Sequence, residues 1–499
     1  MPRRRALLGL GLAAPLRLHG AAPPERLGVV GPWEIAGLEP ATSGYLFTRM
    51  QVTQTLVDCD DQGRLQPGVA RHWQVSPDGL DWRFELHTGA RFHDGQPIAA
   101  DSVARGLQRA VQRPGPLSLA PWADIGTRGD ALHIRLKAPF SPLPALLAHS
   151  SAMLLSPGSL DAAGRVARIL GSGPYRITQL DAPQAFEVQA TGVQAVQRAH
   201  YLSAARAETR ALMAEAGQAH LAWGLDPASL QRLRRRPGLQ VQAVTVPRVL
   251  LLKLDAAHPA LADRRVRQAL SLALDRDGIA AGLLRDPALA ATQLFPPPLA
   301  DWHQPDLPPL RHDAAAARAL LAAAGWGLQR PLRLTLRTFP DRPELPVLAA
   351  AVQEQCRLVG VQVEVLIGNS GDVPLRHRDG SLQLALVARQ LALVPDPLGV
   401  LLQDHGAHLQ RPGARPGGDW GSMNWRHDDV DQALLTLPRI ADEAARAPLR
   451  RQLARRLHED LPVIPISWYR QNAAVSQRLS GFSIDPLERS YRLDALQWT

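Results

Sequence analysis

Asp404-His405-Gly406-Ala407-His408 places two imidazoles three residues apart, a spacing that offers two nitrogens to a metal ion if the segment turns helically. Two nitrogens without further ligands make an incomplete cage, so a solvated loop within the glycine- and proline-rich stretch from His405 to Gly421 is the alternative. Arg49 and Arg389 offer a different chemistry, because a guanidinium can grip a carboxylate through two parallel hydrogen bonds. Trp223, Trp420 and Trp425 could stack on a ligand, with packing in a core as the competing use. Catalytic patterns are missing from the sequence: there is no G-x-S-x-G, no H-E-x-x-H and no Walker loop. Gly171-Ser172-Gly173-Pro174-Tyr175 lacks the lysine of a phosphate loop, and its glycines instead predict a close approach of backbone segments. Cys59 and Cys356 both fall in apolar segments and are expected as reduced core thiols. No enzymatic activity and no cofactor are expected.

The elements that must position these residues are legible in patterning. Trp73 and Val75 lead into Ser76-Pro77-Asp78-Gly79, after which Trp82, Phe84 and Leu86 alternate with Asp81, Arg83, Glu85 and His87, which predicts a hairpin with one buried face. A second turn at Asp94-Gly95 precedes Pro97 and a helix with Asp101 in its first turn. Residues 114–157 read as a linker, a strand at Ala131 to Pro139 and an apolar helix around Leu143 to Leu147. Asp226-Pro227 opens a helix, Val249 to Leu252 suits a strand covered on both faces, and Asp313 caps an alanine-rich helix ended by Gly325. Val266, Ala269, Leu270, Ala273 and Leu274 mark the buried face of another helix, with Arg264, Arg265, Gln268 and Arg276 expected to face water. No internal repeat is visible.

The order L-x-P-x-x-A-x-x-W-x-x-S-x-D-G-L-x-W-x-F-x-L-x-x-G-x-x-F-H-D-G-x-P-x-x-A-x-x-V, which begins at Leu65, resembles the signature of the family 5 extracytoplasmic solute-binding proteins of ABC importers. DRRVRQALSLALDR from Asp263 and the closing HEDLPVIPI from His458 are similar to further family segments, so the resemblance spans nearly the whole chain. It implies an α/β, two-lobed periplasmic binding protein fold of the large peptide- and nickel-binder type (class II), with an extra subdomain in the first lobe. The expected division is an export signal over 1–22, a first lobe over 23–245 holding a subdomain at about 60–175, a second lobe over 246–465, and a return segment over 466–499. The resemblance also makes Tyr45, Phe47 and Arg49 cleft candidates, with core packing as the alternative for the two aromatic residues. Arg389 matches an arginine of the family's nickel binder, and His405 lies near where that protein offers a histidine. Family members that hold a peptide amine place an aspartate three residues before the aspartate of a P-D-P turn; here Asp396 occupies the turn and Leu393 the other position.

Composition agrees with an exported globular protein. The chain has 499 residues and a net charge of +10, almost all from arginine, because Lys137 and Lys253 are the only lysines. Its arginines are scattered and accompany no nucleic-acid reading module, so nucleic acid is not an expected partner. Arg3 to Arg5 followed by an apolar run reads as an export signal similar to the twin-arginine type, with no cysteine at its end for a lipid anchor. The expectation is a soluble, monomeric periplasmic receptor that captures a peptide, a peptide-like ligand or a metal chelate and delivers it to an inner-membrane ABC permease. The alternatives are a binder dedicated to nickel or another metal chelate, and a periplasmic sensor or enzyme built on the same fold.

Overall fold

Ser76-Pro77-Asp78-Gly79 does turn the chain, because Asp78 Oδ1 accepts from Leu80 N at 3.1 Å and Gly79 takes a left-handed φ of 73°. The strands on either side, Ala70–Val75 and Asp81–Leu86, pair antiparallel and bury Trp82 and Phe84. Ala131–Leu136 and Trp122–Arg128 complete a four-stranded sheet, against which the helix Ala100–Ala110 lays Val103, Ala104 and Leu107. The Trp122–Arg128 strand corrects the expected linker; its inward face is carried by little more than Ile125, too weak an alternation to read. The computed structural model describes residues 26–499 apart from 114, 300–301, 341, 343, 393, 411–417, 419 and 441. The export signal expected over 1–22 and the position of Leu393 lie outside the described residues.

The centre of the molecule is a ten-stranded mixed sheet. In spatial order its strands are Val361–Ile367, Leu332–Thr338, Leu384–Gln390, Leu239–Leu254, Val463–Ser476, Leu221–Trp223, Leu27–Gly31, Arg198–Ser203, Ala185–Ala190 and Tyr175–Asp181. Leu239–Leu254 and Val463–Ser476 are the long members and pair antiparallel along most of their length. Their register slips between Val246 and Val249 and again between Leu250 and Leu251. Pro247 explains the slip, since it has no N–H to give the ladder and belongs at a bulge. Beyond it, Val249 to Leu252 are buried, as their apolar run requires. The three strands between Tyr175 and Ser203 were not anticipated from the sequence.

Helix starts follow their caps. Asp226, Asp263 and Asp313 accept from Ser229 N, Arg265 N and Ala316 N at 2.9, 2.8 and 2.8 Å. One expectation fails at Arg276, which is buried and not facing water. The Arg264–Ala273 helix breaks at Leu274, where ψ is 114°, so Asp275 caps a new turn and Arg276 swings inward to donate to Pro465 O at 2.8 Å and Ser271 O at 3.0 Å. Burial lowers its pKa to about 10. At Gly171 and Gly173 a Cβ would stand 2.2 Å from Val52 O and 2.0 Å from Gln51 O, so only glycine lets this loop lie against the chain leaving the Pro40–Arg49 helix. Cys59 and Cys356 are free and buried, and burial pushes both thiols up to about 12. Among the described residues no helix is long and apolar enough to cross a membrane.

Candidate functional site

The bulge at Pro247 turns the next side chain, Arg248, out of the apolar ladder and toward the return segment. There Asp485 organises a tight turn: its Oδ1 accepts from Leu487 N at 2.9 Å, its Oδ2 from Arg489 N at 3.2 Å, and its carbonyl from Glu488 N at 3.0 Å. The turn holds Glu488 at a φ of 57°, a left-handed conformation that side chains other than glycine rarely adopt. Arg248 Nη2 donates to Glu488 Oε2 at 2.9 Å. Arg49, last residue of the Pro40–Arg49 helix, donates through Nε to Glu488 O at 2.7 Å and brings Nη2 to 3.7 Å from Glu488 Oε1. Burial works against the Glu488 carboxylate, but Arg248, Arg49 and Arg342 outweigh it and hold its pKa below the ordinary range.

Aromatic rings frame this charged wall. The Arg49 guanidinium lies 4.4 Å from the centre of Trp33 and 5.1 Å from that of Tyr45. Tyr469 is flanked by Arg248 at 5.0 Å and Arg342 at 5.2 Å, and Arg342 Nη1 donates to its hydroxyl at 3.2 Å. Two cavities meet here. One, of about 1090 Å³, runs past Trp33, Arg342, Glu344 and Tyr469, while the other, of about 680 Å³, runs past Tyr45, Thr48, His149 and Gln390. Arg49, Arg248 and Glu488 line both. Arg49 Nη1 is buried without a hydrogen-bond partner, as is Gln390 Oε1. The arrangement can bind an anionic group of a small molecule between aromatic surfaces.

Of the residues singled out from sequence, Tyr45 and Arg49 line these cavities. Phe47 is fully buried and packs on Phe186 at 5.6 Å. Trp223 stacks on Tyr491 at 4.7 Å, Trp420 meets Phe339 edge-on at 6.3 Å, and Trp425 lies edge-on to His405 at 6.2 Å. Arg389 is held bidentately by Asp404, Nε to Oδ2 at 2.6 Å and Nη2 to Oδ1 at 2.7 Å. The solvated loop expected at His405 is corrected: His405 ends the Leu398–His405 helix, is only 4% exposed, and sits with Nδ1 3.1 Å from Ser422 Oγ. Burial drives its pKa down to about 4. His408 turns away to Asp431, Nε2 to Oδ2 3.0 Å, so the two imidazoles have separate partners. Among the described residues no group of three or more His, Cys, Asp or Glu is arranged to hold a metal. Asp396 of the P-D-P turn is buried and accepts from Arg446 Nη2 at 2.6 Å.

Sequence reasoning missed Arg248, Arg342, Tyr469, Trp33 and Glu488. Only Pro247-Arg248, a proline and a charge interrupting an apolar run, carried a signal.

Residues 64–406 match the model of the bacterial extracellular solute-binding proteins, family 5. The nickel-binding periplasmic protein of Escherichia coli K12 is 24% identical, covering 97% of this chain and 96% of the relative. The glutathione-binding protein GsiB of Pectobacterium atrosepticum is 25% identical, covering 87% and 86%. Among solved structures, NikA from Brucella suis in complex with Fe(III)-EDTA superposes with a TM-score of 0.83 at 21% identity, covering 95% of this chain and all of that one. DppA from Helicobacter pylori in complex with the peptide STSA gives 0.75 at 19% identity, covering 95% and 99%. At these identities the structural likeness shows a shared fold, mixed α/β with a large central sheet.

Proposed function

The chain belongs to the bacterial extracellular solute-binding proteins of family 5, and from that premise we propose that it is the extracytoplasmic receptor of an ABC importer whose ligand seat is the wall shared by the two cavities. The cargo is a peptide, a peptide-like molecule or a metal chelate. The named relatives and neighbours, which bind nickel, glutathione, a peptide or an Fe(III) chelate, support that range. The protein makes and breaks no bonds, works as an exported, soluble periplasmic monomer, and hands its ligand to a membrane permease.

The observation that carries the reading is the convergence of Arg49, Arg248 and Glu488, from three distant segments, on the strand pair Leu239–Leu254 and Val463–Ser476 where its register slips. The proposed lobes are 23–245 with 466–499, and 246–465, so their boundaries fall on that irregularity. A bulge there lets one lobe rock against the other. Ligand contacts from both lobes then favour the closed state, and loss of those contacts releases the cargo. Ser141 N, which donates to Pro438 O at 2.6 Å, supplies a further contact between the proposed lobes. Within the reading, Arg49 anchors the ligand's anionic group and Tyr45 contacts its body, while His405 and His408, already partnered, serve the packing of the second lobe.

A thermal-shift screen of the purified protein with di- and oligopeptides, glutathione, and nickel with histidine or citrate tests this. A true ligand at a hundredfold excess over its Kd adds about 2.7 kcal/mol of stability, about 3 °C in Tm for a chain of this length. Arg248→Ala is expected to remove most of that gain. Turnover of any screened compound, or stabilisation that survives Arg248→Ala unchanged, would sink the proposal.

A further inference from the structure

We infer that the guanidiniums of Arg49, Arg248 and Arg342 form a charge filter with Glu488 as its internal counter-ion: a cationic seat, moderated by one carboxylate, that accepts a carboxylate-bearing anion and turns away ligands with a free ammonium group. The inference rests on the receptor reading above and specifies which ligands that same site takes. Three guanidiniums, those of Arg49, Arg248 and Arg342, act on the one Glu488 carboxylate. Glu344 lines the larger cavity beside Tyr469, and with it counted the wall still keeps one net positive charge from these five side chains. Arg470 leaves that balance unchanged, since Asp286 accepts from its Nη1 at 2.7 Å.

Two observations point to an external anion. Arg49 is only 8% exposed, and although the Tyr491 hydroxyl interacts with its guanidinium, Nη1 makes no well-formed hydrogen bond; a buried donor on a charged group is costly to leave poorly paired. Glu488 does not saturate Arg49: its carbonyl takes Nε, and its carboxylate stays 3.7 Å from Nη2. The left-handed turn that presents Glu488 is locked by Asp485, so the counter-ion is built into the fold. A ligand carboxylate arriving at Nη1 meets a wall with positive charge to spare, whereas an ammonium approaching Glu488 meets a carboxylate already faced by three guanidiniums, in a wall whose second carboxylate, Glu344, leaves the balance positive.

Calorimetric titration of the purified full chain with propane-1,2,3-tricarboxylate and with trialanine methyl ester, an anion and a cation of similar size, tests the filter. The tricarboxylate is expected to bind more tightly than the ester. Glu488→Gln, which keeps an acceptor for Arg248 but removes the charge, is expected to tighten tricarboxylate binding about tenfold, because a like charge a few ångströms from the seat is gone. Arg248→Gln is expected to weaken it by about as much, and the double variant to fall between the two single variants, with the departure from additivity reading the Arg248–Glu488 coupling. A residue that merely braces the turn would weaken both probes together, and circular dichroism of each variant checks that it folds. The inference is overturned if the ester binds more tightly, if Glu488→Gln leaves the tricarboxylate affinity within twofold, or if neither probe binds. When some other screened molecule binds in an Arg248-dependent way, the receptor reading survives that failure; when none does, both fall.

Discussion

Arg389 with Asp404 and Arg248 with Glu488 are the same chemical pair in two settings. Around Asp404 one guanidinium meets one carboxylate through two short hydrogen bonds, and Asp404 O also accepts from Ser422 Oγ at 3.2 Å. Around Glu488 three guanidiniums act on one carboxylate, a donor is left over, and the group lines two cavities. A closed balance stabilises a fold, while an open one is a standing invitation to a ligand. Neither arginine's identity nor its burial separates the two cases; the leftover charge and the unpaired donor do.

The sharpest way to break this comparison is to take one carboxylate away. Asp404→Ala strands a largely buried guanidinium, whose side chain is 11% exposed, and is expected to cost about 3 kcal/mol. Urea denaturation reads that loss, and ligand affinity per folded molecule should stay within about twofold. If stability holds and binding vanishes instead, Arg389 is a ligand anchor and the comparison is wrong.

Acid separates the regions next. His405 is neutral in the folded protein, its pKa lowered by burial from 6.5 to about 4. A depressed histidine contributes stability fully above the unfolded value and loses it as pH falls from 6.5 through 4, because the unfolded chain takes up the proton first. That share is on the order of 3 kcal/mol. His149, beside the smaller cavity, is likewise lowered to about 4 by burial, so two histidines titrate together. Glu488 behaves differently: its pKa lies below 4.5 in the fold, so its contribution is complete above that value and begins to fade only under it. Urea midpoints measured at pH 7.5, 5.5 and 4.5 should therefore fall in the wild type and fall less steeply in His405→Gln. An equal slope in both would mean that His405 is not the buried neutral group described.

Much of the frame was legible beforehand because it rests on local chemistry. Pro77 and Gly79 turn the hairpin, Asp226, Asp263 and Asp313 cap helices, and Gly171 and Gly173 permit backbone contact; each acts within a few residues of itself. Arg276 departs from the helical periodicity because the backbone turns extended at Leu274, before the pattern can reach it. The site was harder, since only Arg49 among its charged residues had been singled out. Glu488 lies 240 residues from Arg248 and 439 from Arg49, and nothing in the surrounding Asp485-Pro486-Leu487-Glu488 pattern says which cations its turn will face. His405 failed for a related reason: glycine and proline downstream implied solvent, while the helix before it carried the side chain into a core.

The smallest test uses neighbours on one strand. Arg389 and Gln390 end Leu384–Gln390, and because successive side chains on a strand point to opposite faces, Arg389 reaches Asp404 while Gln390 lines the smaller cavity. Gln390 Oε1 is buried without a donor, so it too is left open on the cavity side. Gln390→Ala should change stability by no more than about 0.5 kcal/mol, since only a 3.4 Å bond from Nε2 to Ala392 O is lost. The same substitution should weaken a ligand that donates to Oε1 by about threefold, the scale of one neutral hydrogen bond. Calorimetry with whichever screened molecule binds, set beside a urea midpoint for the same variant, reads both quantities. A loss of stability with unchanged affinity would place Gln390 on Arg389's side of the divide, and the cavity face of this strand would then be as closed as the other.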